Sequence, residues 1–262
     1  MLAKNYLNPP LRRHFKSRYP QLNRNRLREQ YSTDTFFSSV PTILTGATCA
    51  QIFVGAHSIY TAVYPMKSES HGPDVLETFI ANVGAPYHLM NDNEKMQTSE
   101  AWKKILNKYN ISSTTSEPYH PWQNRAERRI QDVKRMCNKI MIHTACPHAL
   151  WTYCALYACD ILNHTASQNL EWRTPIEVAF GITPDISALV QFAFYGPVYY
   201  YASDPFPITK ELPGRFLGIA KSVGDALTYW VLTQDNQVIA RSVLREAIPF
   251  THVCDEVTPK GA

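Results

Sequence analysis

Between Tyr31 and Met66, apolar and β-branched residues come in short runs broken by turn-forming residues. This pattern predicts strands over 31–40, 49–56 and 60–66, the last two close enough across His57-Ser58 to form a hairpin. The period then lengthens. Pro73 stands where a helix would begin, Val75, Leu76, Phe79, Ile80 and Val83 recur at helical spacing, and Gly84 stops the run. A short strand over 88–92 follows. Next comes a helix over 101–109, capped by Thr98 or Ser99, with Trp102, Ile105 and Leu106 turned inward, and then a strand over 111–116. The clearest helix covers 125–142, where Ala126, Ile130, Val133, Cys137 and Ile140 recur at spacings of 4, 3, 4 and 3. Beside that apolar stripe runs a polar line of Glu127, Gln131, Lys134 and Asn138. A second long helix, over about 147–165, is apolar most of the way round and is predicted to be buried. Past Pro175 and Pro184, strands return at 198–201, 215–219, 227–232 and 238–244, the pattern of a small barrel or appended sheet.

This order predicts an α/β fold with a mixed five-stranded sheet flanked by helices and a small C-terminal β-rich subdomain. The sheet is antiparallel first and parallel where helices cross over. The expected division is a basic arm over 1–29, an α/β core over 30–170, a β-rich extension over 171–248 and a tail over 249–262. With 45% of its 262 residues hydrophobic and 18% charged, the chain can bury a sizeable core. No run approaches the ~18 apolar residues of a membrane span, and Met1-Leu-Ala-Lys-Asn does not read as a secretory signal. Six cysteines without a Cys-x-x-Cys pair suit a reduced, intracellular compartment and argue against a zinc site.

Charge changes the picture more than composition does. Residues 1–30 carry eight Lys/Arg against Glu29 alone, and residues 125–139 carry six against Glu127 and Asp132, while the rest of the chain is slightly acidic. Localised basic blocks suit contact with a polyanion, although a solvated arm reads equally well from charge alone. Three acids stand where chemistry would favour them: Asp34 inside the first strand, Asp92 at the carboxyl end of the fourth, and Glu127 in the first turn of the clearest helix. Strand ends and helix entries line the ligand crevice of open α/β sheets. A carboxylate inside an apolar strand needs compensation, which a pair of hard cations about 4 Å apart would supply at a phosphodiester. Taken singly, each acid has a plainer reading as an edge residue, a turn starter or a helix-dipole partner.

Three segments together carry a resemblance. They are Phe53-Val-Gly-Ala-His-Ser-Ile-Tyr-Thr-Ala-Val-Tyr-Pro-Met-Lys67, Asn91-Asp-Asn93 and Pro118-Tyr-His-Pro-Trp-Gln-Asn-Arg-Ala-Glu-Arg-Arg129. With Arg173-Thr-Pro-Ile-Glu-Val-Ala-Phe-Gly181, Gly214-Arg-Phe-Leu-Gly-Ile219 and Val238-Ile-Ala-Arg-Ser-Val-Leu-Arg245, the chain resembles the integrases of copia-type LTR retrotransposons over about residues 30–247. The resemblance implies an RNase H-like fold, with Asp34, Asp92 and Glu127 as the catalytic and metal-holding triad. It implies two Mg²⁺ or Mn²⁺ ions, joining of element DNA 3′ ends to double-stranded target DNA, homo-oligomerisation, and a nuclear or particle location. It places DNA contacts at Gln123, Asn124, Gln131 and Lys134, with Arg128 and Arg135 close by. No membrane or small-molecule cofactor is expected.

The chain departs from the family pattern at three points. Glu94 replaces the glycine usual after Asp-Asn. Asn124-Arg-Ala-Glu127 lacks the family's glycine, leaving 34 residues between Asp92 and Glu127, and the stretch before Asp34 holds His14 but no cysteine. Two alternatives therefore stay open: a catalytically impaired, element-derived DNA-binding or assembly module, or a metal-dependent nuclease of the same fold. His57 and His71 read as solvated turn residues. Cys154, Cys159, Asp160 and His164 read as packing within one helix, with Asp160 hydrogen-bonded. Trp230 reads as core, and Trp122 and Tyr199–Tyr201 are candidates for stacking on bases.

Overall fold

The computed structural model describes residues 24–91, 99–115, 125–202, 210–224 and 227–247. The first sheet contains β1 (Arg26–Phe37), β2 (Cys49–Gly55), β3 (Thr61–Met66), β4 (Ala85–Asn91) and β5 (Ser112–Thr115). Its strand order is β3-β2-β1-β4-β5. The hairpin strands β1, β2 and β3 pair antiparallel, whereas β4 joins β1 and β5 joins β4 in parallel, each after a helical crossover. The crossovers are α1 (Gly72–Asn82) and α2 (Glu100–Lys108), followed by α3 (Arg125–Thr144) and α4 (Trp151–His164). This is the mixed, helix-flanked sheet that the sequence order predicts.

Alternation along β1 distributes the two cores. Tyr31 packs with Phe53, Leu76, Phe79, Leu89 and Trp102 under α1 and α2. Phe36, Ile52 and Val63 pack instead against Ala126, Ile130, Val133, Cys137 and Met141 of α3, with Cys154, Ala155 and Ala158 of α4 behind. Met141, not Ile140, completes the buried stripe of α3, because a 3.6-residue turn carries a long stripe round toward position 141.

Several boundaries move for local reasons. The first strand begins at Arg26, inside the stretch expected as an arm. There Arg26 and Leu27 pair with Ala85 and Pro86, and the Arg26 guanidinium donates to the carbonyls of Tyr109 (2.5 Å) and Asn110 (2.9 Å). The strand ends at Phe37, not Val40, because the Ser38 hydroxyl donates to the Val40 carbonyl and accepts from the Val40 amide, closing a turn. Gly84 lies at φ +138, where an added Cβ would sit 2.9 Å from the Asn25 carbonyl, so the predicted helix stop is also the only residue type the turn into β4 accommodates without strain. The helix expected from 147 starts as a 3₁₀ turn over His148–Leu150.

Polar residues in the middle of β1 are buried, which their composition alone would not predict. The Thr35 hydroxyl donates to Gln51 Oε1 (2.9 Å), Gln51 Nε2 donates to Thr33 Oγ1 (2.6 Å), and the Thr33 hydroxyl donates to the Ile52 carbonyl (2.8 Å). This chain of bonds ties β1 to β2 on the face opposite Asp34. Gln51→Leu would leave the Thr35 hydroxyl without its acceptor and Thr33 without its donor. An unfolding free energy lower by about 2–3 kcal/mol is expected, read from the urea midpoint.

The C-terminal part contributes α5 (Pro175–Phe180), α6 (Ser187–Val190) and a second sheet of five antiparallel strands. These are β6 (Pro197–Ala202), β7 (Lys210–Ile219), β8 (Tyr229–Thr233), β9 (Val238–Arg241) and β10 (Leu244–Glu246), in the order β10-β6-β7-β8-β9. The expected strand over 238–244 is thus two strands on opposite edges, joined by Ser242 and Val243 alone. Three Cα–Cα steps span at most about 11 Å, so the sheet curls until its edges approach. A bulge in β7 between Phe216 and Gly218, with Gly218 at φ +121, supplies part of that bend. The sheet rests on α4, where Tyr157 meets Phe194 (5.2 Å) and Phe216 (6.3 Å) and where Lys221 pairs with Asp160.

Candidate active site

Asp34 lies in the central strand, directly across from Ile52 of β2. Cross-strand partners share a face, and Ile52 belongs to the cluster under α3, so the Asp34 carboxylate is on the α3 side of the sheet. It is half-buried, and its Oδ1 accepts the Thr35 amide at 2.7 Å. Glu127 occupies the first turn of α3 and is exposed, while its neighbours Ala126 and Ile130 are buried against the sheet. Gln131, Lys134 and Asn138 continue its line along the exposed face, and Arg128 and Arg135 flank them, also exposed. The Lys134 ammonium leans over the Phe36 ring, 5.7 Å from its centroid, two residues from Asp34 on the same face. Arg135 is 3.8 Å from Asp132, a long, solvent-screened pair that leaves its guanidinium accessible.

Asp92, Gln123 and Asn124 fall outside the described residues. Among the described residues there is no group of three or more His, Cys, Asp and Glu able to hold a metal. Asp34 and Glu127 are nonetheless carboxylates on one layer of the fold, and hard divalent cations take such oxygen donors.

Arg129 was not anticipated as a site residue. It is half-buried, and its Nε donates to Thr61 Oγ1 at 2.8 Å. The Thr61 backbone is clamped in turn by Asn163 of α4: its amide donates to Oδ1 (2.8 Å) and its carbonyl accepts from Nδ2 (2.7 Å). Three elements therefore meet at Thr61, and the turn of α3 that carries Glu127 is tied to β3 and α4. Burial holds the Arg129 guanidinium below its ordinary pKa, and its Nη2 has no hydrogen-bond partner among the described residues. The signal in the sequence is its spacing: Arg129 stands three after Ala126 and four before Val133, a cation on the apolar stripe.

The remaining candidates take their plainer roles. His57 is exposed in a turn, and His71 is exposed at the end of a short 3₁₀ helix that leads into α1. Cys154 and Cys159 are buried free thiols, and burial raises the Cys159 pKa far enough to keep it protonated, so it is a packing residue. Asp160 bonds to Lys221 and its carbonyl to His164 Nδ1 (2.7 Å). Trp230 packs against the core, Tyr200 is buried under the guanidinium of Arg241, and Trp122 lies outside the described residues.

No family model matches the chain. It is 26% identical over 147 residues to the retrovirus-related Pol polyprotein from transposon RE2 of Arabidopsis thaliana, a match covering 54% of this chain and 10% of that protein. To the corresponding polyprotein from transposon RE1 of the same plant it is 27% identical over 153 residues, with the same shares. The chain thus spans about a tenth of the length of the curated relatives it matches. Among solved structures it is similar to a chain of the simian T-cell lymphotropic virus intasome, solved in complex with the PP2A regulatory subunit B56 gamma. That match has a TM-score of 0.51 and 18% identity, and it covers 84% of this chain and 79% of that one. In sequence the chain is similar to these transposon Pol polyproteins, and its mixed, helix-flanked sheet has the RNase H-like fold that it shares with the intasome chain.

Proposed function

We propose that this chain is the core of a retrotransposon integrase, a polynucleotidyl transferase that joins the 3′ ends of element DNA to double-stranded target DNA. The observation that carries the reading is the placement of Asp34 and Glu127 on one face of the sheet, beside an exposed polar and basic line on α3. Asp92 completes the set in this proposal. The β1–β4 ladder pairs Ser32 with Met90, and Asp34 and Asp92 each follow two residues later in sequence. Asp34, Asp92 and Glu127 would hold two Mg²⁺ or Mn²⁺ ions. A bound pair supplies Lewis-acid polarisation of the phosphodiester and lowers the pKa of the attacking hydroxyl. Lys134, Arg128, Arg135 and Gln131 contact phosphates and keep the strand in register along the helix, with Gln123 and Asn124 assigned to the same strand. Assembly as a homo-oligomer and a nuclear site of action belong to the same proposal.

Purified chain incubated with blunt element-end DNA, target plasmid and Mg²⁺ tests the reading. Joined products that vanish in Asp92→Asn support it. Nicks without joining would point to a nuclease, and binding with neither product to a non-catalytic module. Lys134→Ala and Arg128→Ala are each expected to weaken binding similarly across DNA sequences. Each should also reduce the slope of log affinity against log salt by about 0.9, one phosphate contact. Unchanged slopes in both variants would place the DNA elsewhere.

A further inference from the structure

Arg129 stands two residues after Glu127, which on an α-helix is about 200° round from it, so the two side chains leave α3 on opposite sides. Glu127 is exposed, whereas Arg129 runs back toward the sheet, where its Nε donates to Thr61 Oγ1 at 2.8 Å. Thr61 is a fixed point. It is buried, its hydroxyl donates onward to the Ile59 carbonyl at 3.0 Å, and the buried Asn163 holds its amide and its carbonyl. The turn just before it is fastened to β1. The Glu29 carboxylate accepts the amides of His57 (2.7 Å) and Ser58 (2.9 Å) and the Ser58 hydroxyl, and Ser58 Oγ accepts the Tyr60 amide at 3.1 Å. Gly55 leaves the room for this, since a Cβ there would sit 2.4 Å from Ser58 Oγ and 2.7 Å from Glu29 Oε1. Hydrogen bonds and one short stretch of chain therefore connect the strand that carries Asp34 with the helical turn that carries Glu127.

We propose that Arg129 is a positioning residue: anchored on Thr61, it holds the first turn of α3 at a fixed rotation and distance from β1, and so sets where the Glu127 carboxylate stands relative to Asp34. The proposal rests on the metal-holding role given to those two carboxylates above and adds the residue that fixes their spacing. The chemistry of the side chain suits the task. A guanidinium is planar and presents its Nε–H in a fixed direction, so a bond from it orients the helix as well as tethering it. Its acceptor is buried and immobile, so little of the bond is exchanged for water. A divalent cation held by carboxylates is sensitive to such placement. Groups that orient its ligands without touching it are typically worth about ten- to a hundredfold in affinity.

The test measures Mn²⁺ binding by electron paramagnetic resonance, amide hydrogen exchange and Tm on the native chain, Arg129→Met and Arg129→Lys. Methionine keeps the apolar stem of the side chain and leaves the Thr61 hydroxyl its bond to Ile59. Replacing a buried charge by an apolar group of similar size is often neutral, so the Tm of Arg129→Met should stay within about 3 °C of native. In an α-helix the amides of 129–131 bond to the carbonyls of 125–127. They should exchange about tenfold faster in Arg129→Met, the worth of one hydrogen bond from a charged donor. Mn²⁺ should bind about tenfold more weakly. Arg129→Lys restores a cationic donor of similar reach and should recover part of both losses. Native Mn²⁺ affinity in Arg129→Met would overturn the proposal while leaving the integrase reading in place. Exchange in this turn that is unchanged, or that quickens equally throughout the chain, would do the same. A native chain that binds no Mn²⁺ would overturn both.

Discussion

Asp34→Asn is expected to lower the rate of strand joining by about a thousandfold while leaving the protein folded and bound to DNA. The amide is nearly isosteric with the carboxylate, and its oxygen can still accept the Thr35 amide that Asp34 Oδ1 accepts at 2.7 Å. The strand pairing with Ile52 involves backbone alone, so the sheet should register the change by less than about 1 kcal/mol. Chemistry depends on the charge. If Asp34 helps to hold the cations, its neutralisation removes several kcal/mol of transition-state stabilisation, and about 4 kcal/mol corresponds to three powers of ten in rate. DNA affinity should hold or rise, because one negative charge beside the phosphates is gone. Glu127→Gln should behave alike. It is exposed in the first turn of α3, and losing its favourable interaction with the helix dipole costs only about 0.5 kcal/mol. A joining rate within tenfold of native for Asp34→Asn would remove Asp34 from the reacting centre, whatever the fold.

The same residues show how far the sequence reveals this site. Asp34 and Glu127, the acids proposed for it, stand out in the sequence because each occupies a marked position, an acid inside an apolar strand and an acid one step from an apolar helical stripe. The periodicity of α1 and α3 was legible for the same reason: burial of one helix face writes itself into spacing. What the sequence obscured depends on tertiary partners. Arg-Leu-Arg-Glu-Gln at 26–30 looks like part of a solvated arm, and it becomes strand only because β4 supplies a parallel partner and the carbonyls of Tyr109 and Asn110 take up the Arg26 guanidinium. Thr33, Thr35 and Gln51 are polar in composition yet buried, since each satisfies the next. Arg129 was hidden beside residues with a more obvious role, and only Thr61, 68 positions away, reveals what it holds.

Phe79→Ala should give the largest loss of stability among these variants, about 3–5 kcal/mol. Phe79 is fully buried on α1 and meets all three hairpin strands. It stacks on Phe53 of β2 at 4.1 Å and 6°, tilts against Tyr31 of β1 at 5.3 Å, and meets Tyr64 of β3 edge-on at 6.4 Å. Truncation leaves a void that three rings on separate strands cannot close without shifting the strands themselves. Against a typical domain stability of about 5–15 kcal/mol this is a large fraction, and at about 2–4 °C per kcal/mol the Tm should fall by roughly 10 °C. Phe79→Leu keeps most of the volume and should recover more than half of the loss. Because Phe79 lies on the face of the sheet opposite Asp34 and α3, the molecules that remain folded at 20 °C should bind DNA with native affinity and native salt slope. A stability loss of that size with the DNA-binding slope preserved would separate the layer that holds the sheet from the layer that carries the site. A variant whose salt slope changes as much as its Tm would instead show the two layers to be coupled through β1.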